Sequence, residues 1–153
     1  MTIKKANKTD KQEIQVLMDE LNEYRKNIFS NDTKDFHERI NPYKKLEDDD
    51  FENSIFFVAK DASNNVIGFI QGTIHERKNH KLHNLGYIDE LFVKESFRGK
   101  GVAKNLFTEL ETEFKKQNCD SLTTHTDIEN DLSANLYLKS GMKKTTIEFW
   151  KKL

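Results

Sequence analysis

Between residues 86 and 114 the chain reads G-Y-I-D-E-L-F-V-K-E-S-F-R-G-K-G-V-A-K-N-L-F-T-E-L-E-T-E-F. That is a strand over 87–93, a basic glycine turn over 96–101, then an amphipathic helix. In the helix Val102, Leu106, Leu110 and Phe114 recur every fourth residue, with Ala103 and Phe107 beside them. Such a face must pack on a sheet. A strand feeding a tight turn and a sheet-packed helix confines the chain to layered α/β architectures.

The flanking segments fit that class. Residues 2–6 form a short first strand, and Thr9-Asp10 offers an N-cap. Ile14, Leu17, Met18, Leu21, Tyr24 and Ile28 then fall at helical spacing. A short helix is expected over 36–45 around Pro42, followed by an acidic run over 47–50. Segments 54–60 and 66–74, joined by turn residues, form a β-hairpin. Residues 75–84 read as a polar loop. Beyond the central helix the pattern gives a strand over 121–128, a helix over 130–139 ending at Gly141, and a last strand over 142–150. The expected fold class is α/β, one domain spanning 1–153, with a mixed, mostly antiparallel sheet flanked by helices.

Composition narrows the function. Lys+Arg is 25 against Asp+Glu 26, without the basic excess of a nucleic-acid binder. No apolar run reaches membrane-spanning length, and the N-terminus lacks a signal-peptide core. Cys119 is the one cysteine, so no disulfide forms within the chain and a reducing, cytoplasmic setting is expected. His75, His80 and His83 lack tight ligand spacing and read as an exposed loop; no metal site is expected.

The glycine turn carries chemistry of its own. Gly99 and Gly101 let a ligand approach the backbone closely. Amides at the start of a helix attract a pyrophosphate, and Arg98 and Lys100 add positive charge. The spacing is neither that of a Walker A loop nor G-x-G-x-x-G.

Together with the downstream N-x-x-S-x-x-x-Y-x-x-x-G-M, the strand, turn and helix resemble the GNAT superfamily of acetyl-CoA-dependent N-acetyltransferases. The likeness spans most of the chain in element order and is specific from Tyr87 to Met142. The family's [QR]-x-x-G-x-[GA] signature falls on Ser96, Gly99 and Gly101, with Ser96 where Gln or Arg is usual. The resemblance implies acetyl-CoA as co-substrate and a slot between two splayed central strands. The backbone of Leu91, Phe92 and Val93 would pair with the pantetheine arm. Arg98, Gly99, Lys100, Gly101, Val102 and Ala103 would hold the pyrophosphate. Asn130 and Ser133 would line the cofactor from the opposite side, and Tyr137 would protonate the departing thiolate. Family members are often dimers, which points to a homodimer.

Acetyl transfer needs a neutral amine, and free amines are mostly charged at neutral pH. Asp89 and Glu90 are carboxylates inside an apolar strand, which is costly unless one faces a cleft. Strand alternation sends them to opposite faces. The resemblance here is strongest to members acting on small polyamines and diamines, with Asp89 expected as base and Glu90 as amine-binding. His125 and a bound water stay open as the base. Glu20, Glu23, Tyr24, Glu47, Asp48, Asp49, Asp50 and Glu52 would form an acidic acceptor entrance. A small polyamine, an aminoglycoside, an amino acid and a protein amine all stay open as the acceptor. The alternative is a non-catalytic acyl-CoA-binding module on the same fold, since fold does not fix function.

Overall fold

The computed structural model describes residues 1–28 and 45–152. The helix expected over 36–45 falls, but for Lys45, outside the described residues.

Five strands form one sheet in the order β1 (Thr2–Lys5), β2 (Ile55–Lys60), β3 (Val66–Glu76), β4 (Asn84–Val93), β5 (Ser121–Thr123). The first three pairings are antiparallel and β4–β5 is parallel. Helix α1 (Lys11–Ile28) covers one face and α3 (Val102–Lys116) the other, as two apolar clusters show. A single turn, α2 (Asp50–Asn53), precedes β2, and α4 (Asp131–Lys139) follows β5. Because β2 is covered on both sides, Phe56 to Lys60 are all buried, which accounts for its unbroken apolar run.

Helix α1 forms where the spacing puts it: Ile14, Leu17, Met18 and Leu21 are its buried stripe. Its lead-in differs from the expected cap. Asn7 caps a 3-10 turn in a reciprocal capping box with Asp10. Asp10 is buried but paired with Lys4 and Lys60.

Helix α3 buries Val102, Leu106, Phe107, Leu110 and Phe114. Phe114 lies against Gly86 so closely that a Cβ there would sit 2.6 Å from Cδ2 of its ring. Overpacking of this kind costs about 1–3 kcal/mol. Gly86→Ala is therefore expected to lower the thermal midpoint. Adding Phe114→Leu should recover part of that loss, and no recovery would show that the clash is not the cause.

Three expectations are corrected. First, β3 reaches Glu76 and β4 starts at Asn84, so His75 lies on a strand rather than in a loop. Second, the strand expected over 121–128 stops at Thr123. Its ladder with β4 covers only Leu85 to Tyr87, and β4 bulges two residues later. Beyond that ladder, side-chain contacts tie the two segments: Thr124 Oγ1 donates to the Ile88 carbonyl, and Tyr87 Oη meets His125 Nδ1. Third, residues 142–152 form no strand. The three-residue β5 offers them little edge, and Ile147 and Phe149 remain 77% and 91% exposed.

Candidate active site

The bulge decides where the carboxylates go. The β3–β4 register steps from Gln71↔Glu90 to Gly72↔Ile88, leaving Asp89 without a partner on β3. An extra residue in a strand breaks the two-residue alternation. Asp89 and Glu90 therefore turn to the same face, the one covered by α1, and not to opposite faces. Two contacts establish this. Glu90 meets Arg25 of α1 in a two-pronged ion pair, with Nη2–Oε2 at 2.8 Å and Nη1–Oε1 at 3.3 Å. Asp89 Oδ2 accepts from Thr73 Oγ1 at 2.9 Å.

Their surroundings differ. Glu90 is 7% exposed. Burial pushes its carboxyl up to about 7, although the Arg25 guanidinium opposes this; Asp89 and Asp127 add to the rise. Asp89 is half-buried. Burial raises its carboxyl too, countered by the Thr73 hydroxyl and by His75. On the same side Tyr87 Oη lies 2.6 Å from His125 Nδ1.

Tyr137 sits on α4 against Phe107, with ring centroids 6.3 Å apart. Burial raises its phenol, as does the Glu90 charge. The hydroxyl therefore keeps its proton at neutral pH, as a proton donor must. Leu91 and Val93 belong to the α3 side and Phe92 to the α1 side. Beyond Tyr87 the free edge of β4 has no strand partner among the described residues.

At the turn, Gly99 and Gly101 have φ of +73° and +79°, with open space around both. Gly101 starts α3 without a side-chain cap. Among the described residues nothing accepts the amides of residues 99–104, a set of donors suited to an anion. Arg98 points away from them. Its Nε donates to the Val93 carbonyl at 3.0 Å, and its guanidinium lies 4.5 Å over the Tyr24 ring. Lys100 donates to the Ser96 carbonyl. Asn130 caps α4 by accepting from the Ser133 amide at 3.1 Å.

An open groove of about 560 Å³ runs between α1 and the end of β4, lined by Asp19, Glu20, Glu23, Tyr24, Phe92 and Glu95 among others. Only part of the expected acidic entrance lies there, with Arg98 beside it: Glu20 and Glu23 line the groove while pairing with Lys94 and Lys26, and Asp48 and Glu52 lie elsewhere, paired with Lys11 and Lys8.

Arg25, Thr73 and His75 were missed in the sequence. Arg25 carried a signal, because it extends the buried stripe of α1 seven residues past Met18.

The open edge of β4 leads toward the helix-start amides that have no acceptor among the described residues. Carboxylates and a protonated tyrosine lie beside it. The chain belongs to the Acetyltransferase (GNAT) family, whose model matches residues 17–142. It is similar to N-alpha-acetyltransferase 30 of Saccharomyces cerevisiae, 33% identical over 75 residues. That stretch takes in 49% of this chain and 42% of the yeast protein, so the chain spans less than half of that relative. Among solved structures, a tetramutant of the BH1408 protein of Bacillus halodurans superposes with a TM-score of 0.80, 18% identity and full coverage of both chains. An aminoglycoside N-acetyltransferase in complex with CoA superposes at 0.70, with 21% identity over 99% of each chain.

Proposed function

We propose that the chain transfers an acetyl group from acetyl-CoA to a primary amine, and that the acceptor is a small cationic amine such as a polyamine. The observation that carries this reading is the bulge, which gathers Asp89 and Glu90 on the α1 face beside the open edge of β4. The acidic groove along α1 supports a cationic acceptor.

In this reading the amides of residues 99–104 hold the pyrophosphate, with the backbone of Leu91, Phe92 and Val93 along the pantetheine. Acetyl-CoA supplies the acyl group as an activated thioester. Asp89 takes a proton from the acceptor ammonium at Oδ1, directly or through a water. It is the better placed base because both Glu90 oxygens are engaged by Arg25. Glu90 holds the amine electrostatically. Tyr137 Oη donates its proton to the leaving sulfur.

A second reading, acetylation of a polypeptide α-amine, draws support from the likeness to the yeast protein. Incubation with acetyl-CoA and a panel of a polyamine, an aminoglycoside and a peptide with a free α-amine decides between them through acceptor-dependent thiol release. CoA binding without release from any acceptor would leave a non-catalytic acyl-CoA-binding module. Tyr137→Phe is expected to lower kcat about a hundred-fold with CoA affinity unchanged; equal kcat would remove the role.

A further inference from the structure

Thr73 Oγ1 is held between two groups. It lies 2.9 Å from Asp89 Oδ2 and 3.0 Å from His75 Nε2. A hydroxyl has one proton to give. If it gives that proton to the carboxylate, it must accept from the imidazole. The donors then run in one direction, from His75 Nε2–H to Thr73 Oγ1 and from Thr73 Oγ1–H to Asp89 Oδ2. Thr73 and His75 stand two apart on β3, on one face. The Tyr87 ring meets His75 edge-on, with centroids 5.9 Å apart, and steadies the imidazole. His75 is exposed while Asp89 is half-buried, so the chain of donors links a solvent-facing group to one inside the cleft.

We infer that Thr73 and His75 are positioning residues for Asp89, turning Oδ1 toward the acceptor and favouring the carboxylate over the acid. This rests on the reading of Asp89 as proton acceptor. When His75 carries a second proton, Nε2 can only donate and the direction is locked. A neutral imidazole protonated at Nδ1 would draw the Thr73 hydroxyl away from Asp89. Other titratable groups lie around the Asp89–Glu90 pair. Glu90 and Tyr87 flank Asp89 on β4, and Arg25 reaches in from α1 through Glu90. Asp127 and His125 lie beyond β5, and Tyr137 comes from α4. Substitutions at Thr73 and His75 leave all of these in place.

The test follows the Asp89 carboxyl by carbon NMR in the free protein and kcat/KM against pH. Thr73→Val is expected to move the carboxyl midpoint to higher pH. A hydrogen bond to a charged group is worth enough that kcat/KM on the acid side of that midpoint should fall about ten-fold, with little change well above it. Thr73→Ser restores both. His75→Gln keeps a donor but loses the charge, and gives a smaller move in the same direction. Identical Asp89 midpoints in the parent, Thr73→Val and His75→Gln would overturn the inference. Moved midpoints with an unmoved rate profile would uphold the positioning and overturn Asp89 as the base.

Discussion

Asp89→Asn lowers kcat/KM for the accepted amine by about 10³-fold, within the usual range for removing a general base. Asn preserves the shape of the side chain, and its oxygen still accepts from Thr73 Oγ1, so the bulge should survive. CoA binding should be unchanged, because the proposed site holds the cofactor by backbone groups, the amides of residues 99–104 among them, which the substitution leaves in place. Titration of the variant with CoA checks that point independently of turnover. The loss should also depend on the acceptor. An amine already neutral at the assay pH needs no base, so the deficit shrinks as the acceptor's own pKa falls. Glu90→Gln should instead raise KM for a cationic acceptor more than it lowers kcat. A kcat/KM for Asp89→Asn within about three-fold of the parent would pass the role to Glu90, His125 or water, since a base contributes far more than that.

Much of this arrangement could be read from residue pattern alone. The strand, turn and helix over 86–114 were legible because each has its own period, and Gly99 and Gly101 mark the junction. The α1 stripe was legible for the same reason. Pattern failed where a tertiary feature overrode periodicity. Nothing in Y-I-D-E-L-F-V announces a bulge, so strict alternation put Asp89 and Glu90 on opposite faces. The bulge falls where β4 parts from β5 while staying paired with β3, a place set by three strands at once. His75 was assigned to a loop because its polar neighbours hid the end of the β3–β4 ladder. Its link to Asp89 depends on Thr73, and that cross-strand contact has no local signature. Residues 142–150 are rich in strand-favouring Thr145, Thr146, Ile147, Phe149 and Trp150, but a strand needs an edge to pair with, and sequence does not reveal that β5 is only three residues long.

Glu90 ties stability to the proposed chemistry. In the folded chain its carboxyl titrates at about 7, against 4.5 for an unperturbed glutamate. Between those two pH values the folded chain holds a proton that the unfolded chain has released. Stability therefore increases as pH falls from about 7 toward 4.5, and is lost as pH rises through that window. The charged form costs about 3 kcal/mol above pH 7, by the free-energy equivalent of such a displacement. For a chain of this length that is about 6–12 °C in thermal midpoint. The raised Asp89 carboxyl acts in the same direction. Asp10, Asp48, Asp61 and Glu113 are all lowered, so their opposing effect comes in only below the ordinary carboxylate range. Calorimetry at pH 5.5 and pH 8 should find the parent more stable at the lower pH. Glu90→Gln should flatten that dependence, because no proton is left to exchange at the position. Arg25 loses its ion pair with Glu90 in the variant, but at 30% side-chain exposure its guanidinium keeps access to water, so that loss does not erase the gain. The opposite sign, a parent more stable at pH 8, would mean that the Arg25 pair outweighs burial and that Glu90 is a plain ion-pair carboxylate. If the expected sign holds, the chain carries a partial charge on Glu90 at neutral pH against its own stability. That is the compromise expected of a group kept to hold a cationic amine and not to hold the fold together.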